Sequence, residues 1–120
     1  MKFSFENLDV WALALDFAEK IYIKTKTFPN EETYGLVSQL RRASLSVSLN
    51  IAEGKGRYSR KEFKQFLFIA RGSLYETITL MKISVRLRYL AEKDYDELIQ
   101  YCEQTQSKIS GLVNYLRTKD

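Results

Sequence analysis

Apolar side chains recur along this chain in steps of three and four, the spacing that lines one face of a helix, and they do so in four blocks. In the first, Val10, Ala14, Phe17, Ile21 and Phe28 keep the period, with Trp11, Ala18 and Tyr22 beside them. Asn7 or Asp9 is placed to cap this helix, and Pro29 ends it, because the residue before a proline is pushed out of the α region. Glu31 and Glu32 favour the N-terminus of a second helix through the macrodipole. Its residues Leu36, Val37, Leu40, Ala43, Ser44, Val47 and Ile51 fall within an arc of about 120°, and Gly54 is its expected C-terminal stop.

Residues 54–58 (Gly54-Lys55-Gly56-Arg57-Tyr58) read as a short loop. Ser59 and Glu62 then stand at capping-box spacing, a sharp start signal for a third helix. Its core arc takes Phe63, Phe66, Ala70, Ser73, Leu74, Thr77 and Met81, and no breaker interrupts it before about Tyr89. A turn around Ala91 to Lys93 leads into a fourth helix, where Leu98, Cys102, Thr105, Ile109, Leu112 and Leu116 form a heptad seam. The expected helices cover roughly 8–27, 32–53, 60–89 and 93–117. Short connections make consecutive helices antiparallel neighbours, so the expected fold is all-α: one domain over 1–120, an antiparallel up-down-up-down four-helix bundle.

Composition narrows the function. One proline and five glycines leave little material for the turns of a β fold. With no histidine and a single cysteine, neither an internal disulfide nor a zinc ligand set is expected, and no cofactor is implied. Acid–base or nucleophilic work would fall to carboxylates, Lys, Tyr or Cys102, and the heptad seam makes Cys102 a buried, inert thiol. Loop 54–57 lacks the glycine–lysine pattern of a phosphate-binding loop and follows a helix. The N-terminal residues lack a continuous apolar stretch and no run of about 18 apolar residues occurs, so a cytoplasmic protein with no membrane partner is expected.

The net charge of +4 hides a strong asymmetry: residues 1–40 carry 4 basic and 6 acidic side chains, residues 41–88 carry 11 and 3, and residues 89–120 carry 4 and 6. A central segment of +8 between flanks of −2 points to an anionic partner. On the third helix Lys61, Lys64, Phe68, Arg71, Tyr75, Lys82, Arg86 and Tyr89 share one outer stripe, and Glu62 and Glu76 project elsewhere. Cations neutralise phosphates and release counterions, while rings stack on unpaired bases, so the stripe suits RNA or single-stranded DNA. Arg41, Arg42, Lys55 and Arg57 add cations from the preceding helix and loop. A solvated or subunit-contacting face is the competing reading.

Behind the core arc of the second helix lie Leu45, Leu49 and Ala52, which fit either scattered surface apolar residues or a subunit contact. Asn50, Glu53, Ser73 and Glu76 lie near the core faces of the middle helices. They read as a hydrogen-bonded network, with Arg42, that fixes helix register.

The stretch Gln39-Leu40-Arg41-Arg42-Ala43 through Ser46, Asn50-Ile51-Ala52-Glu53-Gly54 and Arg57, then Phe66-Leu67 and Ile69-Ala70-Arg71-Gly72-Ser73-Leu74 with Glu76, resembles the four-helix-bundle proteins encoded in intervening sequences of bacterial 23S rRNA genes. That family includes the accessory variability proteins of diversity-generating retroelements. Leu8, Val10-Trp11, Phe28-Pro29, Glu32 and Tyr34-Gly35-Leu36 extend the match. Ser48-Leu49 fills a variable pair, and Arg88 stands where a glycine is expected. The resemblance implies a bacterial cytoplasmic protein, a closed ring of bundles (a homopentamer), a basic surface that contacts nucleic acid and, in the retroelement members, a reverse transcriptase as partner. The leading expectation is a non-enzymatic, homo-oligomeric nucleic-acid-binding accessory protein. The alternative is an interaction module docking a reverse transcriptase or another nucleic-acid-associated partner.

Overall fold

Phe17 and Ile21, Leu40, Val47 and Ile51, Leu67, Leu74 and Met81, and Leu98 and Ile109 lose nearly all contact with solvent. Each pair or triplet comes from a different helix. The computed structural model describes residues 3–118. Its helices are α1 (Asp9–Thr25), α2 (Ser38–Lys55), α3 (Arg60–Arg86) and α4 (Glu92–Thr118). α1 packs on α2 and α4, and α3 packs on the same two, which closes an all-α four-helix bundle. Among the described residues there is no strand.

Side chains fix the direction of each neighbour. Lys108 meets Asp9 at 3.9 Å near one end of the α1–α4 pair, and Lys24 meets Asp94 at 2.9 Å and Glu97 at 3.2 Å near the other. The α2–α3 pair is tied by Ser46 and Ser73, whose hydroxyls lie 2.9 Å apart. Buried hydroxyls elsewhere turn back on their own helix: Thr25 donates to the Ile21 carbonyl, Thr77 to Ser73, Ser84 to Leu80 and Thr105 to Tyr101, at 2.7–2.8 Å. These four hydroxyls thus donate within their own helix and need no acceptor from a neighbouring one.

Local expectations at the helix ends are corrected. Neither Asn7 nor Asp9 caps α1; Leu8 holds that position without a side-chain cap. A short 3-10 turn, Ser4–Asn7, precedes it, bringing Phe5 edge-on to Trp11 with ring centroids 5.1 Å apart. α2 begins at Ser38 rather than near 32, because Gly35 leaves helical geometry (φ −109°, ψ −110°) and a single wide π-type turn, Thr33–Val37, intervenes. The Glu32 carboxylate accepts the Leu36 N–H across that turn at 3.2 Å.

Gly54 does not stop α2, which runs on to Lys55 with Gly56 beyond it. Gly54 is buried at the crossing with α3, where a Cβ would lie 2.7 Å from the Phe66 Cβ and 2.9 Å from the Phe63 ring. α3 ends at Arg86, short of Tyr89. The Tyr89 N–H bonds the Ser84 carbonyl and the Arg88 N–H the Val85 carbonyl, both at 2.9 Å. That pattern is a Schellman closure, which places Arg88 in the left-handed region at φ 65°. In α4, Val113 takes a buried place and Leu112 is half-buried, because the inward face drifts off a strict heptad.

Two substitutions with opposite signs follow. Gly54→Ala overpacks the crossing, which costs about 1–3 kcal/mol, more than the gain of up to about 1 kcal/mol from helix propensity. Arg88→Gly relieves a left-handed residue that costs on the order of 1–2 kcal/mol and, after the entropy a glycine loses on folding, stabilises by about 0.5–1 kcal/mol. Chemical denaturation should show the first midpoint fall and the second rise.

Candidate nucleic-acid interface

Ser59 builds the start of α3: its hydroxyl accepts the Glu62 N–H at 3.1 Å and donates to the Glu62 carboxylate at 3.2 Å. From there the stripe runs up the α4 side of α3. Lys61 and Arg86 are exposed, Lys64 is half-buried and Tyr75 is 49% exposed. Phe68 is half-buried against the core. The guanidinium of Arg71 sits 5.1 Å from its ring centroid and that of Arg117, from α4, 6.0 Å. Tyr89 leaves the stripe, since the left-handed turn at Arg88 sends it to Phe28, with centroids 5.8 Å apart. Burial, then Glu32 and Glu31, raise its phenol above the ordinary value.

No carboxylate of α3 lies on this stripe, but α4 brings two beside its far end. Lys82 and Arg86 share a cleft with Glu92 and Asp96, and the Lys82 ammonium stands 4.9 Å from the Tyr95 ring centroid. The end near the α2–α3 loop differs. There a cleft is lined by Lys55, Arg57 and Arg60, with no carboxylate among its described lining residues, and Glu53 pairs with Arg57 beside it. The two clefts therefore differ in lining, Lys82 and Arg86 beside two carboxylates at one end and three cations, one of them paired with Glu53, at the other.

The remaining cations divide by position. The Arg41 guanidinium bonds the Thr25 hydroxyl at 3.1 Å and the Tyr22 carbonyl at 3.3 Å and lies 4.5 Å from the Tyr22 ring centroid. It ties α2 to the last turn of α1. Arg42 pairs with Glu76 at 2.9 Å across α2 and α3. Both lie apart from the stripe. Lys55 stands 5.9 Å from the Phe63 ring centroid, and Arg57 lies 4.8 Å from that of Phe66 while pairing with Glu53 at 2.5 Å.

The four polar residues of the middle helices form separate links. Asn50 donates to the Ser46 carbonyl at 2.8 Å and to its hydroxyl at 2.9 Å, which joins it to Ser73. Glu53 and Glu76 are exposed and engage Arg57 and Arg42 instead. Leu45 and Leu49 are 36% and 65% exposed, and Leu49 and Ala52 line a shallow cleft with Phe5. On α3, Ile69 is 51% exposed.

Sequence reasoning missed Arg117 and Arg60. Arg117 was legible in principle, since antiparallel pairing sets the end of α4 beside the start of α3. Arg60 adjoins Lys61 but falls off the stripe's helical period. Among the described residues no cluster of His, Cys, Asp and Glu is placed to hold a metal ion, and no helix is long and apolar enough to cross a membrane.

Together these features define a four-helix-bundle protein with its basic charge gathered towards one flank and one end. The chain belongs to the 23S rRNA-intervening sequence protein family, whose model matches residues 6–111. A crystal structure of a protein of unknown function from the S23 ribosomal protein family of Bacteroides thetaiotaomicron shares the fold, with a TM-score of 0.80 and 24% identity over 87% of this chain and 97% of that one. Among proteins with curated descriptions, none matches the sequence. Neither the family's description nor the neighbour's names an enzymatic activity.

Cys102 is 1% exposed, and burial first, then Glu103, push its thiol up to about 12. Because the thiolate is the nucleophile, Ellman's reagent should leave the folded protein unmodified at pH 8 and titrate one thiol in denaturant. The raised value also sets a sign. The unfolded thiol ionises first, so this group's contribution to stability is intact below about 9 and is lost as pH rises towards 12.

Proposed function

We propose that the protein is a cytoplasmic, non-catalytic accessory protein that binds RNA or single-stranded DNA and works as a homo-oligomer. The observation that carries this reading is the loop-end half of the α3 stripe, where Lys61, Lys64 and Arg71 share one face of α3 and the guanidiniums of Arg71 and of Arg117 from α4 lie over the half-buried ring of Phe68. A face built only for solubility mixes both signs. Lys82 and Arg86 contribute less, because Glu92 and Asp96 share their cleft and offset their charge towards phosphate. Membership of a family named for rRNA intervening sequences is consistent with a nucleic-acid context.

Assembly into a ring, a homopentamer as the family resemblance implies, would bring several such faces together and multiply weak phosphate contacts. Leu45, Leu49 and Ile69, apolar and exposed on α2 and α3, are the proposed subunit contacts. The mixed-charge cleft of Lys82, Arg86, Glu92 and Asp96 favours a second role, docking a protein partner such as a reverse transcriptase, because complementary charges set specificity at protein interfaces.

Two measurements test this reading. Fluorescence anisotropy should show binding of single-stranded oligonucleotides with little sequence preference, log K falling with log salt by roughly 0.7 per phosphate contacted. Charge reversal of Lys61, Lys64 and Arg71 to Glu should abolish binding while the circular-dichroism helix signal persists; wild-type affinity in that variant at the same salt would reduce the stripe to a solvated face. Light scattering should give a mass several times 14.1 kDa that drops to the monomer in Leu49→Glu, and a wild-type monomer at tens of micromolar contradicts the assembly.

A further inference from the structure

Lys82 and Arg86 stand one turn apart on α3, and Glu92 and Asp96 one turn apart on α4, where the two helices wall a cleft of about 400 Å³. Like charges at that spacing repel each other, so each pair is best answered by an opposite charge. The two pairs do not answer one another: among the described residues, none of the four side chains forms an ion pair. The Lys82 ammonium is held instead 4.9 Å from the centroid of the Tyr95 ring. All four charged residues are exposed. Val85 and Tyr95, half-buried and packed against the core, complete the lining and give it an apolar part. The volume falls in the roughly 300–1,000 Å³ range of small-molecule sites.

We propose that this cleft binds a zwitterion, a ligand whose carboxylate and ammonium are joined by a short aliphatic stem. The carboxylate meets Lys82 and Arg86 on the α3 wall, the ammonium meets Glu92 and Asp96 on the α4 wall, and the stem lies on Val85 and the Tyr95 ring. The arrangement of charge selects this class. A phosphate or a simple carboxylate in the cleft meets two repelling carboxylates as well as two cations, and a simple amine meets the converse, so the attraction largely cancels. A ligand that holds its two charges apart gains charge-assisted hydrogen bonds on both walls. Two sources carry this chemistry. One is the C-terminal lysine of a polypeptide, whose α-nitrogen is spent in a peptide bond and leaves only the carboxylate and the ε-ammonium charged. The other is a free ω-amino acid. The inference deepens the protein-docking role proposed above for this cleft, resting on it only where the source is a polypeptide, and it is independent of the nucleic-acid reading.

Heteronuclear NMR titration of the full chain, following backbone amide shifts, tests it. The probes are ε-aminohexanoate, Nα-acetyl-lysine, its carboxamide, hexanoate and hexylamine. The two zwitterions should move the amides of Lys82 to Arg86 and Glu92 to Asp96 and saturate in the millimolar range, as suits so few atoms. Hexanoate, hexylamine and the carboxamide, each lacking one charge, should bind about tenfold more weakly. Arg86→Gln and Asp96→Asn, both at exposed positions, should each weaken the zwitterions about tenfold with the remaining spectrum unchanged. Lys61→Gln, outside the cleft, should leave the titration as in the wild type. Nα-acetyl-lysine binding more tightly than ε-aminohexanoate assigns the cleft to polypeptide C-termini and supports the docking role. The reverse order keeps the zwitterion site, assigns it to a free ω-amino acid and removes the docking role. If hexanoate or hexylamine binds as tightly as the zwitterions, or if Arg86→Gln and Asp96→Asn bind them as the wild type does, the site is refuted. So it is if no probe shifts the cleft amides, and the oligonucleotide measurements above stand apart from every one of these outcomes.

Discussion

Gly54 lets α2 and α3 approach at their shared end until the Phe66 Cβ and the Phe63 ring occupy the space a side chain would need. Much of the surface depends on that approach. With the helices this close, a connection from Gly56 to Ser59 suffices between them, and Ser59 falls where its hydroxyl can cap α3. The Asn50–Ser46–Ser73 link further along the crossing then sets the register of α3 against α2. Once α3 is fixed in height and rotation, its basic stripe must flank α4, and the loop cations Lys55 and Arg57 must lie at the same end as Lys61 and Lys64.

α4 then decides what the stripe is electrostatically. It runs antiparallel to α3, so its acidic first turns, with Glu92 and Asp96, reach the end of α3 that carries Lys82 and Arg86, and its last turn delivers Arg117 to Phe68. Acidic residues early in a helix and basic ones late are favoured by the macrodipole. In an antiparallel pair that ordinary preference polarises the neighbouring face. The cause is local helix energetics, yet the consequence is a field graded along the bundle.

The four helices and most of their buried positions were readable from periodicity because burial selects apolar residues at a fixed angular spacing, but on α3 the core arc was placed one residue off at Phe66, which is half-buried, while Leu67 beside it is fully buried. Leu40, Val47, Ile51, Leu74, Met81 and Ile109 all lie where the spacing put them. The ends were less legible. Gly54 looks like a helix stop by residue type, and only the tertiary contact with Phe63 and Phe66 makes it an interior packing residue. Arg88 lies in a left-handed turn that its residue type does not announce, and the expectation of glycine there was the sole hint. The candidate interface was half legible: a single-helix projection finds Lys61, Lys64 and Arg71, but it cannot see the carboxylates a neighbouring helix contributes, nor that Arg41 and Arg42 serve other contacts.

The arrangement of cations on rings bears on how such a face would work. Lys55 on Phe63, Arg57 on Phe66, Arg71 and Arg117 on Phe68, and Lys82 on Tyr95 are all held over aromatic surfaces. Each contact is worth about 0.5–1 kcal/mol where solvent reaches it, too little to make the bundle stable. It is enough to narrow the rotamers of a long side chain, whose immobilisation otherwise costs about 0.5–1.5 kcal/mol at an interface. Phe68 is already half-buried, so the guanidiniums stacked on it are positioned by the core itself. On the nucleic-acid reading, Phe68 acts mainly by positioning Arg71 and Arg117 for phosphate, and base stacking falls to the exposed Tyr75 of the same stripe. The division of labour follows from burial alone: a ring the core has claimed can orient a charge, whereas a ring left in water can receive a base.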